Sequence, residues 1–258
     1  METADTKSVE TFGLARAPIV EAVIDIDCDL PPAMVFAALE KPARERLRDK
    51  YPKFRAQLVQ EHQIEQLGQA EPKFTVRKGI QAFQFRSEDE RQLVQIRPLG
   101  FSFNRLSPYS SLDDYLTEIE RTWKLFVEVA APIQVRKIGL RYINRILLPI
   151  HEGQLELRDY LNVCPQLPEK ERLKFVGFLN HHAALEVATD NRVNIVLTMQ
   201  NPETDRLPLI FDIETFHAEA SNPGDWDHLL SRIVSLRSLK NRIFKNTLTD
   251  KCLNLFQQ

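Results

Sequence analysis

The residues best suited to chemistry in this chain sit in two short segments. Asn104-Arg105 lies within Phe101-Ser-Phe-Asn-Arg-Leu-Ser-Pro-Tyr109, and Arg141, Asn144 and Arg145 lie within Ile138-Gly-Leu-Arg-Tyr-Ile-Asn-Arg-Ile146. Arginine offers a planar fork of donors that suits a carboxylate or a phosphate. Asn104, Arg105, Arg141, Asn144 and Arg145 therefore form a candidate binding set for an anionic ligand, a nucleic-acid backbone or the acids of a partner. The leading expectation is structural, with these side chains tying a sheet together by pairing with Glu21 and Asp25. A second basic group, Arg232, Arg237, Lys240, Arg242 and Lys245, lies on the polar side of an amphipathic stretch, 232–245. It reads first as the solvated face of a core-packing helix and second as a nucleic-acid or partner face.

Other constellations are weaker. Asp25-x-Asp27 and Asp212-x-Glu214 each put two acids on one strand face, where a converging third ligand could complete a Mg²⁺ site. A nuclease of the restriction type also needs acid-x-lysine on a neighbouring strand. Glu71-Pro-Lys73 has the letters, but Pro72 interrupts the strand. His181 and His182 are adjacent, so on a strand they face opposite ways and do not chelate together. Cys28, Cys164 and Cys252 are odd in number, widely spaced and without a CxxC or CxxH pair, which disfavours a disulfide framework and a structural zinc. The glycines are isolated, and neither a phosphate loop nor a GxSxG elbow is present. No catalytic residue, metal ligand or cofactor is assigned.

The apolar content of 43% and charged content of 27% are those of an ordinary globular protein. The 258 residues carry 34 basic and 36 acidic side chains, a formal net charge of -2. Such a balance argues against a general polyanion binder, although a local basic patch is compatible with it. The polar start of the chain is unlike a signal peptide, and no apolar run approaches the ~18 residues of a membrane span, so a cytoplasmic location is expected.

These residues must be positioned by strands and helices. Residues 1–17 read as a flexible N-terminal arm. Ile19 to Cys28 alternates cleanly, with Val20, Ala22, Ile24 and Ile26 against Glu21, Asp25 and Asp27. Helical spacing follows over 32–50, kinked or divided at Pro42. Strands are expected at 55–67, 73–86 and 91–104, and a helix from an N-cap at Ser111 to about 130. The pattern then restarts: a strand at 133–148, a short helix near 157–161, strands at 172–187, 191–200 and 207–217, and a long helix at 226–246. A last short helix holds Leu253 and Phe256. The order strand, helix, three strands, helix occurs twice, which points to a diverged duplication. The expected fold is α+β, with two similar β-α-β-β-β-α halves, 18–131 and 132–258, in one body. Its sheet would be largely antiparallel, with long helices on one face. If the first strands of the two halves are neighbours, Arg141 or Arg145 should reach Glu21, Asp25 or Asp27.

The segments Pro18-Ile-Val-Glu-Ala-Val23, Phe103-Asn-Arg-Leu106 with Pro108-Tyr109, Gly139-Leu-Arg-Tyr-Ile-Asn-Arg145 and Leu248-Thr-Asp250 resemble a sporadically distributed, uncharacterised bacterial family of similar length. The resemblance implies a cytoplasmic bacterial protein from mobile or defence-associated gene neighbourhoods, and it supplies no catalytic residues. The leading functional expectation is a non-catalytic binding, scaffold or regulatory protein with a protein partner, in a defence or toxin-neutralising setting. Nucleic-acid binding through the Arg-rich strands and the 232–245 helix is the alternative, and a metal-dependent nuclease is third.

Overall fold

The alternation of residues 19–29 becomes a central strand. The computed structural model describes residues 14–65, 73–151, 154–169, 172–173 and 175–257. Strand β1 (Ile19–Asp29) buries Ala22, Ile24, Ile26 and Cys28 and turns Glu21, Asp25 and Asp27 to the other face. A 3-10 turn (Phe36–Leu39) and α1 (Glu40–Leu47) follow. Pro42 falls in the first turn of α1, where its missing N–H forfeits no helical bond, so the expected division produces two short helices. The chain continues through β2 (Lys53–Glu65), β3 (Lys73–Arg86), β4 (Gln92–Arg97), β5 (Gly100–Leu106) and α2 (Asp113–Ala130). Next come β6 (Gln134–Pro149), a 3-10 turn (Leu157–Asp159), β7 (Leu179–Glu186), β8 (Asn191–Met199), β9 (Arg206–Ser221), α3 (Trp226–Thr247) and α4 (Asp250–Leu253).

The fold is α+β, and the strands among the described residues form one antiparallel sheet of nine in the order β2-β3-β4-β5-β1-β6-β9-β8-β7. β1 and β6 are neighbours at its centre, with Asp25 opposite Gly139 and Ile26 opposite Ile138.

Three expectations need correction. The single run 91–104 is a hairpin, β4 and β5, so residues 18–131 carry five strands and not four. Gly100 makes the hairpin possible. Its φ is +140°, and a Cβ there would lie 2.1 Å from the Ile26 carbonyl oxygen. Only glycine tolerates both the backbone angle and the close approach. Second, the strand expected at 172–187 covers only 179–186. Leu179 is opposite Thr198, and β8 ends one residue later at Met199, whose N–H donates to the Phe178 carbonyl at 3.3 Å, so the ladder runs out there. Third, β9 runs beyond 207–217 because it follows β6 from Pro149 opposite Arg206 to Val135 opposite Ser221.

Two apolar clusters fill the interior. In the first, Ile24, Ile26, Phe101 and Leu140 meet Ile119, Trp123 and Phe126 of α2 and Leu229, Ile233 and Leu236 of α3. The second joins Ile146, Leu209, Phe211 and Ile213 to Leu239, Phe244, Cys252 and Phe256. α3 thus spans both, each fully buried aliphatic or aromatic contributing about 1.5–3 kcal/mol. The Trp123 indole N–H donates to the Pro223 carbonyl at 3.0 Å, satisfying its one polar atom in the core. Of the expected arm, residues 1–13 lie outside the described residues. Leu14 packs on the second cluster, and the Arg16 N–H donates to the Phe256 carbonyl at 3.0 Å.

Candidate binding surface on the polar face of the sheet

Period-two alternation sends every second side chain of the central strands to the face that carries Glu21, Asp25 and Asp27. There the amides form a continuous ladder across five strands. Gln84 of β3 donates to Gln57 of β2 at 2.9 Å and to Gln95 of β4 at 3.0 Å. Gln95 donates to Asn104 of β5 at 3.0 Å, and Asn104 donates to Glu21 of β1 at 2.6 Å. The strand spacing places these side chains within one hydrogen bond of each other, so each is oriented by its neighbours while part of its donor and acceptor capacity still faces outward.

The charges of the same face are also internally matched. Arg97 holds Asp25 at 3.2 Å and Asp27 at 3.0 Å, and the Ser102 hydroxyl donates to Asp25 at 2.5 Å. Arg141 grips Asp212 of β9 with two nitrogens, Nε at 2.9 Å and Nη2 at 2.5 Å. This carboxylate raises the guanidinium pKa against the opposing effect of burial. Asn194 donates to Glu214 at 2.9 Å, and Arg145 pairs with Glu203. At the end of β1, hydrogen bonds from Gln134 and Arg136 hold the Asp29 carboxyl below its ordinary value. The arrangement stays wet: the Arg141 side chain is 47% exposed, although Asp212 beneath it is only 15% exposed.

The central strands are adjacent as expected, but the expected partners differ. Arg141 lies opposite Val23 on β1 and opposite Glu214 on β9, with Glu21 and Asp212 diagonal to it on either side, and it pairs with Asp212. The pairs that do cross from β6 to β1 are Lys137 with Asp27, at 3.6 Å, and Arg136 with Asp29, at 2.8 Å.

The five-residue binding set divides between two faces. Asn104, Arg141 and Arg145 belong to the polar face. Arg105 and Asn144 have the opposite parity. Arg105 lies over the Tyr115 ring at 4.9 Å and donates to the Pro108 carbonyl. Asn144 is buried and donates to the Phe211 carbonyl at 2.8 Å. The helical basic group divides too. Arg232 pairs with Glu219, Arg242 with Glu186, and Arg237 with Asp113 through two bonds of 2.7 and 2.9 Å. Lys245 is exposed, whereas Lys240 is buried.

Asn144, Arg237 and Lys240 meet at one cavity of about 160 Å³, beside the start of α2. Tyr109, Tyr142 and Asp113 line it too, with Ser110, Ser111 and Asn241, and none of these belongs to the binding sets expected from the sequence, although both tyrosines lie in segments singled out above. Their hydroxyls are 2.9 Å apart and their rings meet edge to face. Burial pushes the Tyr142 phenol up to about 12 and Tyr109 higher still. The Lys240 amine lies 4.0 Å from the Tyr142 ring centre, and burial, reinforced by Arg237, brings its pKa down to about 7.

The remaining candidates separate. His181 and His182 lie on the exposed edge strand β7. Burial pushes the Cys28 and Cys252 thiols up to about 12 and also raises Cys164. Among the described residues, no three His, Cys, Asp or Glu side chains converge in a metal-binding group. Glu71 and Pro72 of the Glu71-x-Lys73 motif lie outside the described residues. No described helix is long and apolar enough to cross a membrane. The chain matches no family model, and no curated protein matches it.

Proposed function

We propose that this is a non-catalytic binding protein that recognises a protein partner through the polar face of the sheet. The observation that carries this reading is the ladder from Gln57 to Glu21 together with the Arg141–Asp212 and Arg97–Asp25–Asp27 pairs. The face is prearranged and close to neutral. A partner with its own mixed polar surface meets rigid donors and acceptors and orders few side chains on docking. Ile143, Val196 and Ile210 stand half-buried among these polar groups and offer apolar contact beside them. In the same reading the long helices pack on the opposite face, consistent with α2 and α3 sharing clusters with Ile24, Leu140 and Phe211.

The two halves, 18–131 and 132–258, are read as copies of one unit. In each, the first strand pairs with the last, β1 with β5 and β6 with β9, and a long helix follows. The bacterial and defence-associated setting is what the resemblance implies, and the cytoplasmic location is the expectation drawn from the chain's polar start, its apolar runs and that resemblance together. Nucleic acid is the weaker alternative, because a phosphate would have to displace carboxylates from Arg141, Arg145, Arg232, Arg237 and Arg242. The metal-nuclease reading is weaker for a related reason, since arginines already hold Asp25, Asp27 and Asp212.

The test is site-specific photocrosslinking in an extract of the native host. A crosslinker at Arg141 or Gln84 should capture one discrete protein, and a crosslinker at Lys124 on α2 should not. Equal capture from both positions, or capture of nucleic acid lost steeply with salt, would reject the assignment.

A further inference from the structure

Lys240 is the unusual charge of this molecule. It is only 9% exposed, and it lies on a helix whose arginines at 232, 237 and 242 all have acidic partners. Among the described residues its amine has the Tyr142 ring beside it and no hydrogen-bond or ion-pair partner. A buried ammonium without a counter-charge is expensive and is kept where something compensates it. The amine lines the cavity of about 160 Å³ already described, a space equal to about five waters at ~30 Å³ each.

We propose that this cavity binds a small monocarboxylate bearing an apolar group, with the Lys240 ammonium as its counter-charge.

The charge follows from the neighbours. Arg237 and Asp113 satisfy each other through two hydrogen bonds, so among the described residues Lys240 supplies the one uncompensated charge facing the space. A singly charged anion balances it, whereas a phosphate dianion would leave a negative charge buried. The field also favours an anion, because the 18-residue helix α2 begins at the cavity wall and directs its positive end there. Two phenols share one hydrogen bond at Tyr109 and Tyr142, which leaves one hydroxyl proton for a carboxylate oxygen. The rest of the lining decides the tail: Leu14, Ala17, Ile19 and Phe244 form apolar walls that suit a short aliphatic chain or a ring.

Binding of this kind takes up a proton. Burial and Arg237 hold the free amine at about 7, so the empty site is largely neutral above that pH, and an anion raises the value again. The other groups facing it keep their charge from pH 6 to 8. Asp113 is lowered by its hydrogen bonds from Arg237, Arg237 is raised by Asp113, and burial raises Tyr109 and Tyr142. The pH response therefore belongs to Lys240.

Benzoate and butyrate titrated into the full chain at pH 6, 7 and 8, followed by NMR chemical shifts, test the site. Saturable binding should weaken about tenfold from pH 6 to 8, the protonated fraction of a group titrating near 7. Lys240→Met should abolish it, and Lys240→Arg should retain it without the pH response. Undiminished binding by a folded Lys240→Met, no saturation in the wild type, or inorganic phosphate binding as tightly as benzoate would each overturn the proposal. If neither variant folds, the wild-type pH profile decides: a flat profile rejects Lys240 as the counter-charge.

Discussion

The polar face of the central strands and the cavity beside α3 treat charge in opposite ways. On the face, Asp25, Asp27, Lys137, Arg141, Asp212 and Glu214 each have a partner within the sheet, and Arg145 has Glu203 of the β8–β9 connection. In the cavity, Lys240 has an aromatic ring and no acid. Exposed paired charges contribute little to stability, about 0–1 kcal/mol each, while a buried unpaired one costs several. The first arrangement provides a prearranged surface at small energetic consequence. The second sacrifices stability at one position, and such positions are where ligand sites are found.

Replacing the unpaired charge should have the largest effect. Lys240→Met fills the same space without a charge and should stabilise the fold by about 3 kcal/mol at pH 7, measured by urea unfolding. A loss of stability would mean that Lys240 has a partner and would end the contrast.

The pH response sharpens the same point. The Lys240 pKa is depressed in the folded chain, so between about 7 and its unfolded value near 10.5 the unfolded chain binds more protons. Stability should therefore rise with pH across that window, by about 2 kcal/mol from pH 7 to 9, and reach its full penalty below 7. The difference between wild type and Lys240→Met at each pH isolates this group.

Smaller effects are expected elsewhere. Gln84→Leu removes two amide bonds from the centre of the ladder and should cost about 1 kcal/mol, because the freed acceptors remain within reach of water. Asp113→Asn should also cost about 1 kcal/mol, a figure discounted for an acid whose side chain is 57% exposed. It should move the Lys240 titration further down, since Arg237 would then act on it unopposed. Arg141→Ala should change stability by about 0.5 kcal/mol and yet disturb partner capture, the sign of a recognition residue on a surface that does not hold the fold together.

Much of the framework was legible. The alternation of residues 19–28 gave the two faces of β1, and the helical spacing of 226–246 located α3 to within a residue. The hairpin at 98–99 was missed because Gly100 signals a close approach only once β1 is known to lie beside it. The binding set was grouped by nearness in sequence, although Arg105 and Asn144 carry the wrong parity for the face of Asn104, Arg141 and Arg145. That division was already available from the period of a strand. Tyr109 and Tyr142 lie in two separate sequence segments, and nothing local shows that their hydroxyls meet.

The sequence alone determined which side of each strand and helix is apolar, because the periods of 2 and 3.6 are properties of the local backbone. Only the tertiary structure decided the partner of each charge. Arg141 pairs with Asp212 and not with Glu21, which lies at the same level on its other side and accepts from Asn104, and Lys240 loses its counter-charge because β6 and the start of α2 close over α3. Register and closure depend on segments a hundred residues apart, and charge pairing acts over a few ångströms, so no local pattern can report it.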